Sequence, residues 1–224
     1  MLSVLLPLSA ARAGVPGPDP ALAAMPDSAT RAAVQTAARQ AGLRPSVLKS
    51  ALTAYRHAVA EGAARRPLLT VIDYSLPSHV KRLWVLDLKR GRVLAREFVA
   101  HGRGSGDDVA QHFSNRENSY ESSLGTFVTG ETYDGKNGLS LRLVGLDDGV
   151  NDHALERGIV MHGAWYVSTA MIRKVGRLGR SEGCPALSEQ AAPRIIGMIE
   201  GGSVVYAYYP GPALQRSTGS PATQ

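Results

Sequence analysis

The chain of 224 residues holds one cysteine, Cys184, set in the stretch Arg177-Leu178-Gly179-Arg180-Ser181-Glu182-Gly183-Cys184-Pro185-Ala186-Leu187. A thiol becomes a useful nucleophile when a nearby imidazole or backbone dipoles favour its thiolate. His162 ends the apolar run Gly158-Ile159-Val160-Met161, which reads as a core strand delivering an imidazole at its tip. We therefore expect Cys184 to be a nucleophile and His162 its proton-transfer partner, united by the fold because their separation is too long for one helix. Gly183 permits a sharp turn, and the N–H groups at and before Cys184 could form an oxyanion hole, a feature worth about 3–4 kcal/mol per donor in acyl-transfer enzymes. The spacing is equally met by a buried inert cysteine. His57, His79, His101, His112 and His153 compete for the imidazole's role, and only geometry can exclude them.

Other chemistries find little support. No His-Glu-x-x-His, paired cysteine or repeated helical histidine is present, so we expect no metal and no cofactor. Asp147-Asp148-Gly149-Val150-Asn151-Asp152 lacks the glutamate and spacing of a calcium loop and reads as an acidic turn. Gly102-Arg103-Gly104-Ser105-Gly106 lacks the lysine and following helix of a phosphate loop. No nucleophile elbow surrounds Ser181. The net charge of +6 suits an anionic partner. Its basic residues are scattered without aromatic interleaving, which argues against nucleic acid and leaves an acidic cell-surface polymer as a fitting partner.

The elements that must position the pair follow from periodicity. Ser28–Gln40 reads as a helix with Asp27 or Ser28 as its cap and Gly42 as its stop. Pro45 opens a second helix, with Val47, Leu48, Ala51, Leu52, Tyr55, Ala58 and Val59 on one stripe and Gly62 at its end. Together they form a helical hairpin over 27–64. From Leu68 the pattern changes to short strands: 68–76, 83–88, 93–100, 126–132, 139–146, 158–162 and 203–209. A glycine- and serine-rich loop runs from Gly102 to Ser123, long enough to be functional or disordered. Ser188–Glu200 reads as a late helix. Many short strands with turns between them predict a mainly β, sandwich-like or barrel-like sheet over 65–211 with appended helices.

The first residues, through Ala11-Arg12-Ala13, read as a signal peptide ending in a small-x-small cleavage site, although no basic residue precedes the apolar block. Residues 14–26 read as a Pro/Gly-rich linker and 212–224 as a disordered tail. No apolar run is long enough to span a membrane. A single unpaired thiol in an exported protein needs a reason, so export and a reactive Cys184 support one another.

Several motifs in order resemble the L,D-transpeptidase (YkuD-like) catalytic domain, in the branch of murein L,D-transpeptidase catalytic domain proteins. They are Val71-Ile72-Asp73-Tyr74-Ser75, Val99-Ala100-His101-Gly102, Phe113-Ser114-Asn115, Ser123-Leu124-Gly125-Thr126-Phe127, Gly135-Lys136-Asn137-Gly138, Val160-Met161-His162-Gly163 and Gly179-Arg180-Ser181-Glu182-Gly183-Cys184-Pro185-Ala186. The resemblance implies a β-sandwich-like catalytic fold in the periplasm, acting on peptidoglycan stem peptides as donor and acceptor. It implies that Cys184 attacks the carbonyl of the third stem residue, that the terminal D-residue leaves, and that an amine of another stem resolves the thioester. His162 would serve as general base and then acid, oriented by the Gly163 carbonyl, and Ser181 matches the family's Ser/Thr three residues before the cysteine. Arg177 and Arg180 are candidates for the substrate carboxylate, Tyr133 and Trp165 for groove walls. Glu182 stands where the wider family prefers histidine, and a carboxylate beside the thiol raises its pKa unless paired, with Arg180 or Arg177 as partners within reach. A hydrolase using the same acyl-enzyme and a non-catalytic wall-binding module remain as alternatives; the product formed and the effect of Cys184→Ala discriminate them.

Overall fold

The computed structural model describes residues 26–211. The expected signal peptide, nearly all of the Pro/Gly-rich linker and the C-terminal tail lie outside the described residues. Two helices open the described chain, α1 (Ser28–Gln40) and α2 (Pro45–Ala60). Asp27 caps α1, its carboxylate accepting from the Thr30 N–H at 2.7 Å, and Pro45 occupies the first turn of α2, where a missing N–H breaks no helical bond. Eight strands follow: β1 (Leu68–Asp73), β2 (Leu83–Asp87), β3 (Arg92–Glu97), β4 (Gly125–Gly135), β5 (Gly138–Gly145), β6 (Val160–Gly163), β7 (Ala186–Leu187) and β8 (Val204–Tyr208). Helix α3 (Thr169–Val175) lies between β6 and β7, and α4 (Ala192–Ile199) between β7 and β8.

The strands form one sheet in the order β3-β2-β1-β8-β4-β5-β6-β7. The neighbours β1/β8 and β6/β7 run parallel and the other pairs antiparallel. The mainly β class and the appended helices are as expected.

Residue alternation assigns the sheet's two faces. Leu69, Val71, Trp84, Leu86 and Val204 pack under the helical hairpin, against Val34, Leu48 and Tyr55. Ile72, Leu83, Val85 and Val205 point the other way, into a core shared with α4 and with Met161 and Leu187 of the site strands. Covering both faces explains why β1 and β2 are buried throughout rather than alternating. The Trp84 indole donates to the Ala41 carbonyl at 2.9 Å, satisfying a backbone acceptor at the end of α1.

Strands β1 and β3 end earlier than expected, at Asp73 and Glu97, and β4 runs on to Gly135; three further elements differ more. Helix α3 was not anticipated because it buries none of its residues and so carries no apolar stripe to read. Its one core contact is half-buried Ile172, packed against the cluster of Ala100, Val167 and Leu178, and its ends are capped: the Ser168 hydroxyl accepts from the Met171 N–H at 3.2 Å, and Gly176 takes the left-handed conformation at φ 77°. Strand β7 is two residues long because Pro185, without an N–H, precedes it. Helix α4 starts at Ala192 rather than Ser188, whose hydroxyl and carbonyl accept from the Ala191 N–H in the turn before it.

Candidate active site

Strand β6 is the fixed point of the site. It pairs with β5 on one side (Ser140 with His162) and with β7 on the other (His162 with Ala186). Alternation sends Met161 into the core and leaves Val160 and His162 facing a cleft of about 460 Å³. In the parallel β6/β7 register, Cys184 stands two residues before the partner of His162, and its sulfur lines the same cleft. The Val160 N–H lies 3.5 Å from Sγ as a donor, and the thiol points to the Gly158 carbonyl at 3.6 Å.

The imidazole is oriented by its own strand. His162 Nδ1 lies 2.8 Å from the Gly163 carbonyl oxygen, an arrangement that requires Nδ1–H and leaves Nε2 as the basic nitrogen. Burial lowers the His162 pKa below its usual value, opposed by that hydrogen bond and aided by Lys136. Burial likewise raises the Cys184 thiol pKa; the Val160 N–H, Arg157 and Lys136 oppose the shift and Glu182 adds to it. The resting pair at neutral pH is thus a neutral thiol and a neutral imidazole.

The turn that presents the thiol is held by serine hydroxyls. Ser181 Oγ donates to the Cys184 carbonyl at 2.6 Å and accepts from the Gly183 N–H at 3.2 Å. Ser122 Oγ donates to the Gly183 carbonyl at 3.0 Å and accepts from the Gly102 N–H at 3.0 Å. The Ser181 N–H donates to the His101 carbonyl at 3.0 Å, and the Arg103 N–H to the Ser181 carbonyl at 2.8 Å. Gly183 adopts φ 125°, and a Cβ there would come within 2.9 Å of the Glu121 carbonyl oxygen, so only glycine fits. The long loop from Gly102 to Ser123 is thereby ordered as the cradle of the cysteine turn.

These contacts correct part of the sequence reading. The Gly183 N–H, expected to face a reacting carbonyl, is spent on Ser181, whereas the Cys184 N–H has no hydrogen-bond partner among the described residues. Arg177 does not line the cleft: it donates to the Leu178 carbonyl and lies 3.6 Å from Asp107. Arg180 lines the cleft while pairing with Asp107 at 2.9 Å. Both arginines are therefore drawn to Asp107, and neither pairs with Glu182 as the sequence suggested; that carboxylate stands exposed on the cleft. Tyr133 lines the cleft under the Arg142 guanidinium, 4.6 Å from its ring centroid. Trp165 does not; it projects into solvent at 67% exposure and packs edge-on against Tyr166, which takes the wall position.

The competing histidines do not reach the cleft. His101 is fully buried, with Nδ1 2.7 Å from Arg82 and Nε2 3.3 Å from the Gly106 carbonyl, and burial pushes it down to about 4. His79 pairs with Asp108 at 2.6 Å, His153 with Glu156 at 3.2 Å, and His57 and His112 are exposed. The reading from sequence missed Arg157. Its guanidinium donates to the Ser114 and Glu121 carbonyls at 2.6 and 2.8 Å and to the Ser123 and Ser119 hydroxyls at 2.5 and 3.1 Å, and its charge favours the thiolate. No local motif marks it, because its partners come from a loop remote in sequence. Among the described residues no group of three or more His, Cys, Asp or Glu is arranged to hold a metal ion.

The profile of the L,D-transpeptidase catalytic domain matches residues 39–208, and the chain belongs to that family. A search of curated proteins finds no match. Among solved structures, an L,D-transpeptidase from Mycobacterium smegmatis is similar at 16% identity, with 64% of this chain and 59% of that chain covered and a TM-score of 0.40. An L,D-transpeptidase from Xylanimonas cellulosilytica shares 17% identity over 78% of each chain, with a TM-score of 0.35. The helical cell shape determining protein of Campylobacter jejuni shares 13% over 62% of this chain and 46% of its own, with a TM-score of 0.38. The chain thus spans less than two thirds of the mycobacterial chain, and the assignment rests on the family profile rather than on these superpositions.

Proposed function

We propose that this domain is a cysteine-dependent acyltransferase that cross-links peptidoglycan stem peptides outside the cytoplasm, where that polymer lies. The observation that carries the reading is the delivery of Cys184 and His162 to one cleft by adjacent parallel strands, with Nδ1–H locked on Gly163. Because thiol and imidazole both rest neutral, His162 acts as a general base during attack rather than as half of a preformed ion pair. Nε2 takes the thiol proton as Sγ attacks the carbonyl of the third stem residue. The Cys184 N–H then donates to the oxyanion. Collapse breaks the C–N bond, the imidazolium protonates the departing amine of the terminal D-residue, and a thioester remains. An amine of a second stem attacks that thioester, His162 removes its proton, and the thiol is restored with a new amide bond formed. The cleft's mixed charge, with Lys136, Arg157 and Arg180 beside Glu117, Glu156 and Glu182, suits a zwitterionic peptide.

The test is incubation with disaccharide-tetrapeptide followed by mass spectrometry. Cross-linked dimers are expected from the wild type and none from Cys184→Ala. Tripeptide monomers alone would replace the transferase with a hydrolase, unchanged products from Cys184→Ala would end the cysteine mechanism, and no product from the wild type would end the enzymatic reading.

A further inference from the structure

The helical hairpin carries a second concave site, remote from the cleft: a groove of about 400 Å³ between α1 and α2 that shares no lining residue with it. Leu43, Leu48 and Leu52 line it, with the first two buried. Arg31 and Arg39 on α1 and Lys49 and Arg56 on α2 stand around it, all exposed. From Ser28 to Ala60 the chain holds Arg31, Arg39, Arg44, Lys49 and Arg56, with Asp27 and Glu61 at its two ends, and no aspartate or glutamate lines the groove itself. Arg44 is neutralised by Asp73 at 2.7 Å; the four cations around the groove form no ion pair among the described residues.

Cations gathered around a groove whose lining holds no carboxylate repel one another, so their placement on both sides of its apolar floor asks for an anionic occupant. We propose that the groove docks an amphipathic α-helix of a partner protein, with a stripe of leucine-like residues on the groove's apolar lining and aspartates or glutamates facing the two basic flanks. Helix-in-groove recognition uses this division of labour, apolar anchors for affinity and flanking charge for orientation and rate. Helix α1, 13 residues long, sets a partner segment of roughly 20 Å, three to four turns. An anionic membrane fits less well. Lipid-seeking helices project large apolar side chains, and among the described residues the exposed large hydrophobics (Val109, Tyr120, Tyr133, Leu155, Trp165 and Val175) all lie outside the hairpin. The family match begins at residue 39, near the end of α1, so most of the wall that α1 contributes lies outside the matched catalytic domain.

The experiment is fluorescence anisotropy on the full chain with a synthetic labelled peptide as probe, leucine at i, i+3, i+4 and i+7 flanked by glutamate. A scrambled peptide of equal composition and phosphatidylglycerol vesicles run alongside. Micromolar binding is expected. It should weaken at least about tenfold on scrambling and on Arg39→Glu with Lys49→Glu, and it should fall as salt rises. Leu52→Ser, which leaves every charge in place, should weaken it several-fold with the circular dichroism spectrum unchanged. Equal binding of the scrambled peptide, vesicle binding without peptide binding, self-association through this face in sedimentation, or no binding near 1 mM would each overturn the proposal. The readout needs no turnover, so its outcome is independent of the chemistry at Cys184.

Discussion

Ser181→Ala isolates the group on which the geometry of the thiol turn depends. The hydroxyl makes two bonds, one to the Cys184 carbonyl and one from the Gly183 N–H, in a residue only 5% exposed. Alanine removes the partner of both and fits the site without a clash. Two buried hydrogen bonds at about 1 kcal/mol each, with a buried donor left unsatisfied, put the loss at roughly 2–4 kcal/mol. For a domain of this size that lowers the melting temperature by roughly 5–15 °C. The freed Gly183 and Cys184 backbone no longer holds the oxyanion donor in place, so kcat should fall by an order of magnitude or more while KM changes little. Thermal unfolding by circular dichroism and steady-state cross-linking measure the two effects. Ser181→Thr, which keeps the hydroxyl, should recover most of both. A melting temperature within a degree of wild type, or an alanine variant as active as the threonine variant, would refute the account of the turn.

The pH profile follows from the two shifts. Burial lowers His162, so the neutral base persists as pH falls through 6.5 and the acid limb of activity lies below that value. Burial raises Cys184, so alkylation of the free enzyme by iodoacetamide should climb only above pH 9; a thiol already alkylated at full rate at pH 7 would show a preformed ion pair instead. Glu182→Gln removes the carboxylate that opposes the thiolate and should speed alkylation at pH 8 a few-fold; slower alkylation would mean that Glu182 has another role at the thiol. Trp84→Phe deletes the donor to the Ala41 carbonyl while keeping most apolar bulk, and should cost about 1–3 kcal/mol and speed amide exchange at the end of α1. An exchange pattern confined to the sheet would separate Trp84 from the hairpin's stability.

Much of this protein was legible in one dimension because its signals are local. Helix α1 could be read to the residue, since its cap at Asp27 and its stop at Gly42 act through neighbours three or four positions away. Seven of the eight strands announced themselves by apolar runs and turn glycines, β7 being too short to do so, and Cys184 and His162 stood out by residue type and setting. Helix α3 was silent, because a seven-residue helix that packs through half-buried Ile172 alone has no stripe.

Pairings made across the sequence were decided elsewhere. Asp107, remote in sequence from Arg177 and Arg180, draws both, and Arg180 alone of the two lines the cleft. Arg157 became the cation beside the thiol only because the loop from Ser114 to Ser123 folds around it. Of the two backbone N–H groups read as candidate oxyanion donors, that of Gly183 is taken up by the Ser181 hydroxyl, a pairing made within the folded turn. The sequence by itself determined most of the elements and the candidate pair Cys184 and His162, since periodicity and residue chemistry are written along the chain. Only the tertiary structure decided the wiring between them, because hydrogen bonds and charges act through space and choose partners by distance.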